Sequence, residues 1–413
     1  MSVAARGPSP LGLDEWLLRL EQLHPREIEL GLERSAEVAE RLGLLKPGCP
    51  VVTVAGTNGK GSVIAVMDAI LRSNGWRTGV YTSPHLLKFN ERICVDGAMA
   101  TDTGLVESFE RVDAARKDTP LTYFEFSTLA ALDIFRASKV DILLLEVGMG
   151  GRLDAVNILS PQIAVVTSIA LDHESWLGHD RGAIALEKAG ILRPGIDFIC
   201  ADLDPPAPLC ERARELGCRS HFIDAEAARA IAEGLPLRGE NILAACRATA
   251  LLGVEAGTAE LPTLLRKLKL TARLQAIDLQ GVEILLDVAH NPAAVRNLAD
   301  FLREKPRPGR TMAVFAALSD KNIRAMIQAV GRLVDGWFVA DLPRVPKAAR
   351  AHSVAAILQQ AEVEMVSINS NPRQAYRRAR SVLRRGDRLL VFGSFHTVAA
   401  VLPGIEKDLK KIG

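Results

Sequence analysis

The stretch VVTVAGTNGKGS, Val51 to Ser62, decides how the rest of the chain is read. Its first half, Val51 to Ala55, is mostly apolar and β-branched and reads as a buried strand. Its second half is glycine-rich and opens into SVIAVMDAILRSNG, a helical pattern stopped by Gly75. Strand, glycine turn and helix in that order are the setting in which a phosphate-binding loop is credible. Glycines let backbone N–H groups converge on phosphate oxygens without Cβ clashes, and the helix N-terminus adds its positive end. Lys60 can reach the β- and γ-phosphates, and Ser62 or Thr57 can offer a hydroxyl to phosphate or magnesium. The spacing departs from the common G-x-x-x-x-G-K-[ST] form, because Gly61 separates Lys60 from Ser62. The competing reading is a glycine turn that only caps a helix; strand, loop, lysine and helix together favour phosphate. The motif specifies a nucleotide and leaves the reaction open.

Outward from this unit the chain keeps alternating. Upstream, Leu17, Leu20, Ile28, Leu32, Val38 and Leu42 recur at near-helical spacing, with a break at His24-Pro25. Downstream, DILLLEVG (Asp141 to Gly148) and IAVVTSI (Ile163 to Ile169) read as strands buried on both faces, with a helix over Phe126 to Ala137 among the intervening segments. This is the pattern of a doubly wound α/β domain. A polar segment with helix-forming runs, Arg266 to Gln275, precedes a second series in which VEILLDVA, TMAVFAAL, GWFVADL and RLLVFGS alternate with helical stretches. The expectation is a P-loop domain over residues 1–270 and a smaller Rossmann-like α/β domain over 271–413.

A length of 413 residues fits two domains better than one core. The net charge of +2, without a basic tract carrying aromatics, argues against nucleic acid as a partner. Six cysteines form no C-x-x-C pair, so neither a zinc site nor a disulfide framework is expected, and reduced thiols fit a cytoplasmic protein. The N-terminus lacks the apolar stretch of a secretory signal, and no run approaches the roughly 18 apolar residues that span a bilayer.

In a doubly wound sheet the nucleotide lies at the C-terminal strand ends. Glu146 closes one such strand, Asp172 and His173 follow another, and Ser83 follows the strand-like TGVYT. Magnesium takes hard oxygens and keeps several waters, so a carboxylate, a hydroxyl and phosphates suffice, with Glu146 as the carboxylate. On chemistry alone His173 is either a ligand or an ordinary loop histidine, and His85 and His179 read as ordinary. Lys188, late in a helical pattern, reads as an unremarkable helix lysine. In DVAHNP, Asp287 and His290 can orient a polar ligand, while Asn291-Pro292 reads as a helix cap and first-turn proline. Ser394 and His396 in GSFHTV stand at a helix start, where a plain cap and a carboxylate seat are both open readings.

The motifs GTNGKGS, TSPHLLKFNERI, FEFSTLAAL, EVGMGGRLDAVN, LDHESWLG, EKAGILRPG, DVAHNP and GSFHTV, in that order along nearly the whole chain, resemble the bifunctional dihydrofolate synthase/folylpolyglutamate synthase family of the Mur ligase superfamily. The resemblance implies an ATP site at Thr57, Asn58, Gly59, Lys60, Gly61 and Ser62, joined by Asn241, Arg273 and Asp287. It implies two magnesium ions, one on Ser83 and Glu146 and one on His173, the latter supported by a carbamylated Lys188. It puts the pterin substrate at Thr122, Phe124, Leu153 and Asp154, with the N-terminal LEQLHPREIELGLERSAEVAERLG beside it. His290 and Ser394 would lie near the incoming glutamate, and Ser83 to Arg92 resembles the family's mobile loop. The chain departs from the family at Thr271-Ala272-Arg273-Leu274, where Pro-Gly before the arginine and Phe after it are common. It also has Val156 where Thr is common, and ENILAACRA lacks a frequent upstream glutamine.

The implied reaction joins L-glutamate to dihydropteroate and to the glutamate tail of reduced folates. A carboxylate is a poor electrophile, so ATP phosphorylates it and the glutamate amine attacks the acyl phosphate. Lys60 and the magnesium ions would spread the transferring charge, with acid, amine and ATP held between two domains. Lys60, Lys188 and His290 are the candidate catalytic residues, His290 as the candidate base. Alternatives are a ligase confined to folylpolyglutamate synthesis, a cell-wall Mur ligase, and an NTPase switch without a carboxylate acceptor. A monomer is expected.

Overall fold

The computed structural model describes residues 11–411 except 27, 234, 236, 256, 258, 259 and 269. Residues 1–10 of the N-terminal stretch read for a secretory signal, and Glu27 of the N-terminal segment, lie outside these residues. The chain forms two compact units. Unit 1 comprises Met1–Ile169, Asp180–Glu233 and Arg238–Leu268, and unit 2 comprises Ala170–His179, Gly234–Leu237 and Lys269–Gly413.

Unit 1 is built on strands β1 (Val51–Ala55), β2 (Thr78–Tyr81), β3 (Ile93–Val95), β4 (Ala98–Met99), β5 (Ile142–Glu146), β6 (Ile163–Val166), β7 (Asp197–Cys200) and β8 (Arg219–Phe222), in the order β4-β3-β2-β5-β1-β6-β7-β8. From β2 across to β8 the pairing is parallel, and β3 and β4 extend one edge antiparallel. β1 sits inside this sheet, which is why VVTVA is apolar but for Thr53 and buried throughout. The chain leaves β1 towards β2 on one side, and after β5 it crosses to β6 on the other. The C-terminal ends of β1 and β5 therefore border the switch point where such sheets bind ligands. Parallel register sets Val54 opposite Glu146, so the glycine loop and that carboxylate emerge side by side.

Away from the sheet, Trp16, Phe89, Phe109, Phe126 and Tyr123 pack mostly edge to face, with centroids 5.6–6.4 Å apart. This cluster fastens the N-terminal helix Leu13–Gln22 to the helices Asp102–Arg116 and Tyr123–Ser138.

Unit 2 carries β9 (Gln275–Leu279), β10 (Val282–Leu286), β11 (Thr311–Phe315), β12 (Gly336–Ala340), β13 (Val366–Asn369) and β14 (Arg388–Phe392), in the order β13-β12-β11-β14-β10-β9. All are parallel except β9, which forms a hairpin with β10. Phe315, Trp337 and Phe392 stack in its core at 4.9–5.9 Å. At the strand starts, buried Glu283 is ion-paired with both Arg388 and Arg307.

The doubly wound sheet and the smaller α/β unit agree with the sequence reading. β3, β4, β7, β8, β9 and β13 were not expected. β3 and β4 are too short to show a period, and β8 is largely exposed, so no apolar run marks it. β9 begins at Gln275, the last residue of the segment read for helix-forming runs; within that segment the helix Leu261–Lys267 stops and Ala272 and Leu274 adopt φ of 58° and 47° before the hairpin.

Candidate active site

The loop after β1 is shaped by close approach. Gly56 has φ of 150°, and a Cβ there would lie 1.7 Å from Thr167 Oγ1. Thr57 N–H donates to Ser168 O at 2.7 Å, and Ser168 Oγ donates to Asn58 O at 3.1 Å, so the strand end after β6 props the loop open. Gly59 has φ of 97°, and a Cβ would sit 2.6 Å from Asn241 Oδ1. Asn241 is buried on the helix Gly239–Leu251 and packs directly on the loop. Lys60 opens the helix Lys60–Ser73, with Gly61 and Ser62 in the same turn. Its Nζ curls back to donate to Gly56 O at 3.1 Å and Thr57 O at 3.3 Å, and lies 3.9 Å from Glu146 Oε1. The N-cap is a glycine without a side chain, so the first-turn N–H groups face the loop concavity without a side-chain cap.

Glu146 is buried at the end of β5, and Ser83 N–H donates to its Oε2 at 3.3 Å. A carboxylate and a hydroxyl-bearing residue thus stand together beside the lysine. Their donors are hard oxygens, the set magnesium prefers. Among the described residues no group of three or more His, Cys, Asp or Glu is placed to hold a metal ion. The segment Ser83 to Arg92 is folded on Glu91, whose carboxylate accepts from the N–H groups of Leu86, Leu87 and Lys88 at 2.7–2.8 Å.

Thr122 caps the helix Tyr123–Ser138, and Glu125 returns a bond to Thr122 N–H at 2.7 Å. Arg34 pairs with Glu125 at 3.0 Å and Glu29 at 2.7 Å, tying the N-terminal segment to this cap. The Phe124 ring lies 5.8 Å from Tyr81 and occupies the space a Cβ at Gly148 would take, 2.7 Å away. Asp154 is buried and accepts from Met149 N–H at 2.9 Å and Val156 N–H at 3.1 Å. Burial pushes its carboxyl up to about 6, against those backbone donors. Leu153 precedes it in the same turn, half-buried.

Lys188, read from its spacing as an unremarkable helix lysine, is 3% exposed near the end of the helix Arg181–Ala189. The GMGGRLD loop lies on this helix. A Cβ at Gly151 would meet the Lys188 carbonyl at 3.0 Å, one at Gly190 would meet Arg152 Cα at 2.3 Å, and Arg152 N–H donates to Glu187 O at 2.8 Å.

In unit 2, Asp172 is the hub. It accepts from Lys321 Nζ at 2.6 Å and Asn291 Nδ2 at 3.0 Å, and lies 3.4 Å from His290 Nε2. Burial opposes its ionisation, yet the His290 bond and the charges of His173, His290 and Lys321 hold its carboxyl well below the usual range. His173 follows with φ of 52°, its N–H on Asp172 Oδ1. Asn291 caps the helix Pro292–Glu304, as its sequence context indicated. Asp287 accepts from Leu274 N–H at 2.8 Å and Ala289 N–H at 2.7 Å, and burial raises its pKa. Arg273 lies over the Phe395 ring at 5.4 Å, with His290 against the same ring at 5.9 Å. Ser394 caps the helix Phe395–Leu409 and bonds Thr397 Oγ1 at 2.7 Å; burial lowers the pKa of His396. Lys321 and Arg92 were not singled out from the sequence. Lys321 follows the strand TMAVF, so the strand-end rule applied to SDKN would have found it.

Residues 54–194 match the profile of the Mur ligase middle domain, and residues 272–395 that of the Mur ligase, glutamate ligase domain. The dihydrofolate synthase/folylpolyglutamate synthase of Escherichia coli K12 is 39% identical, covering 96% of this chain and 96% of its own length. The chain belongs to the dihydrofolate synthase/folylpolyglutamate synthase family. The family member from Haemophilus influenzae is 36% identical over 95% of this chain and 97% of its own. Among solved structures of the family, that of E. coli FolC in complex with DHPP and ADP superposes with a TM-score of 0.89 at 37% identity, covering 98% of this chain and 99% of that one. A Yersinia pestis bifunctional folylpolyglutamate synthase/dihydrofolate synthase complexed with AMPPNP and Mn ion gives 0.89 at 38%, covering 97% and 100%. No helix among the described residues is long and apolar enough to cross a membrane.

Proposed function

We infer that the chain is an ATP-dependent ligase that joins L-glutamate to 7,8-dihydropteroate and to the glutamate tail of reduced folates. The observation that carries this reading is near-full-length similarity to bifunctional enzymes in a chain whose phosphate loop stands beside Glu146 and Ser83. The loop from Thr57 to Ser62 binds ATP, with Asn241 bracing it and Arg273 and Asp287 as further nucleotide-binding residues. Glu146 and Ser83 would hold one magnesium ion, and His173 the second with a carbamylated Lys188. Bound magnesium supplies neutralising charge at the phosphates.

The residues have separate tasks. Lys60, now turned onto the loop carbonyls, swings to the γ-phosphate and stabilises charge on the phosphoryl group as it passes to the substrate carboxylate. Thr122, Phe124, Leu153 and Asp154 take the pterin, Phe124 as a stacking face and Asp154 as an acceptor. His290 and Ser394 serve the incoming glutamate, and His290 is the candidate to receive the amine proton. Carbamylation would form an N–C bond between Lys188 Nζ and CO2, release protons from the nitrogen, and leave a terminal carboxylate, a hard-oxygen ligand of the kind a magnesium site uses. The enzyme works as a cytoplasmic monomer.

The test is ligation with dihydropteroate labelled with oxygen-18 in its carboxylate. One labelled oxygen should appear in phosphate for each amide formed, and phosphate release should require both acid and glutamate. Unlabelled phosphate would refute the acyl-phosphate route. Turnover with tetrahydrofolate and none with dihydropteroate would reduce the enzyme to a folylpolyglutamate synthase.

A further inference from the structure

Arg92 is a charge that the site described so far does not use. It ends the short 3-10 turn Phe89–Arg92 and is only 9% exposed. Its Nε donates to His85 Nδ1 at 2.8 Å, which fixes the plane of the guanidinium. That plane lies over two aromatic rings, 5.7 Å from the centroid of Phe89 and 5.5 Å from that of Tyr123. Among the described residues no carboxylate is ion-paired with Arg92, and neither terminal nitrogen has a protein acceptor, whereas Arg388, the one other buried arginine among them, is paired with Glu283 and donates from Nη2 to Lys305 O. The terminal nitrogens are also not sealed off from solvent, since they are absent from the buried side-chain atoms that lack a partner.

A buried guanidinium with its fork open is costly to keep unless an anion meets it. Aromatic faces compensate only partly, because a cation over a ring keeps its N–H donors unsatisfied. A planar fork with two parallel donors matches a carboxylate. The surroundings indicate which one. Tyr123, under the guanidinium, lies between Thr122 and Phe124 at the start of the helix assigned to the pterin. Tyr81, which stacks on Phe124, is close enough for Arg92 to act on its ionisation.

We propose that Arg92 is the seat for the carboxylate of the pteroyl substrate, held by both terminal nitrogens, with His85 orienting the fork. The inference rests on the pterin site proposed above and adds the group that recognises the acid end. It makes the substrate's own carboxylate the counter-ion of Arg92, so the pocket prefers an acid to a neutral analogue of the same shape.

The experiment compares 7,8-dihydropteroate with its carboxamide, by calorimetry in the presence of ADP and magnesium. The wild-type chain should bind the acid more tightly than the amide. Arg92→Met should weaken acid binding by about 30-fold or more, the loss expected when a buried charge pair loses a partner, while amide binding changes by less than about threefold. Arg92→Lys keeps the charge without the fork and should fall between them; it also serves if the methionine variant does not fold. Equal losses for acid and amide, or no loss for either, would overturn the proposal and leave Arg92 a packing residue. Wild-type protein that binds neither compound would instead overturn the pterin-site reading, and this inference with it.

Discussion

Asp154→Asn offers a test in which the sign as well as the size is set by structure. Burial raises the wild-type carboxyl to about 6 in the folded chain, against the ordinary 3.8. Between those values the folded state holds a proton that the unfolded state has released. The stability associated with this group is therefore fully present below about pH 4 and lost as pH rises through 6. Two units at about 1.4 kcal/mol each make the loss roughly 3 kcal/mol. Asparagine does not titrate, but it presents an NH2 where one oxygen now accepts from Met149 or Val156, a pH-independent cost of about 1–3 kcal/mol. The variant should be the less stable protein at pH 4 and recover relative to wild type by roughly 3 kcal/mol on going to pH 7. In unit 1 that corresponds to about 6–12 °C of relative melting temperature. Calorimetric melts of both proteins at half-unit steps from pH 4 to 8 measure it. A difference between the two proteins that stays flat across the window would refute the assignment of Asp154 as a carboxyl held out of ionisation by burial.

Two further outcomes follow from packing. Gly59→Ala places a methyl 2.6 Å from Asn241 Oδ1 at a φ of 97°, so ADP affinity should fall at least tenfold while the melting temperature drops by only a few degrees; ADP titration calorimetry decides it. Glu283→Ala strands Arg388, which is 2% exposed, and should destabilise unit 2 by about 3–5 kcal/mol at pH 7. Burial opposes ionisation of Glu283, but Arg307 and Arg388 lower its pKa below the ordinary 4.5, so the stability it confers is present above that value and lost as pH falls further. The deficit of the variant should shrink in melts taken below pH 4.

The parts of the fold legible in sequence are those where one environment acts along a whole element. Val51–Ala55 and Ile142–Glu146 are buried on both faces, so apolar residues dominate both runs, broken only by Thr53 and the terminal Glu146, and the strands announce themselves. RSHF in β8 pairs by backbone alone at an exposed edge, and its side chains carry no trace of the sheet. The same contrast holds in the site. Lys60 and Glu146 were legible because strand and loop order put them at strand ends. Lys188 was not, since its burial comes from Gly151 and Gly190 letting another loop press on its helix, a contact with no local period. Only the motif resemblance raised it.

Buried ionisable groups carry this argument further. Lys188, Asp154, Arg92, Glu146 and Asp172 are each less than a tenth exposed, and each sits in a segment the sequence motifs mark. A stable fold has no need of them there, because an apolar residue of similar volume would cost less to bury. Their compensation is uneven. Glu283 and Arg388, away from the motifs, satisfy one another, whereas burial raises the carboxyl of Asp154 to about 6 and Arg92 keeps an open fork. Incomplete pairing costs the empty protein stability and gives a charged ligand the missing partner. The expected consequence is that dihydropteroate raises the melting temperature of wild type more than that of Arg92→Met, whereas ADP raises both equally.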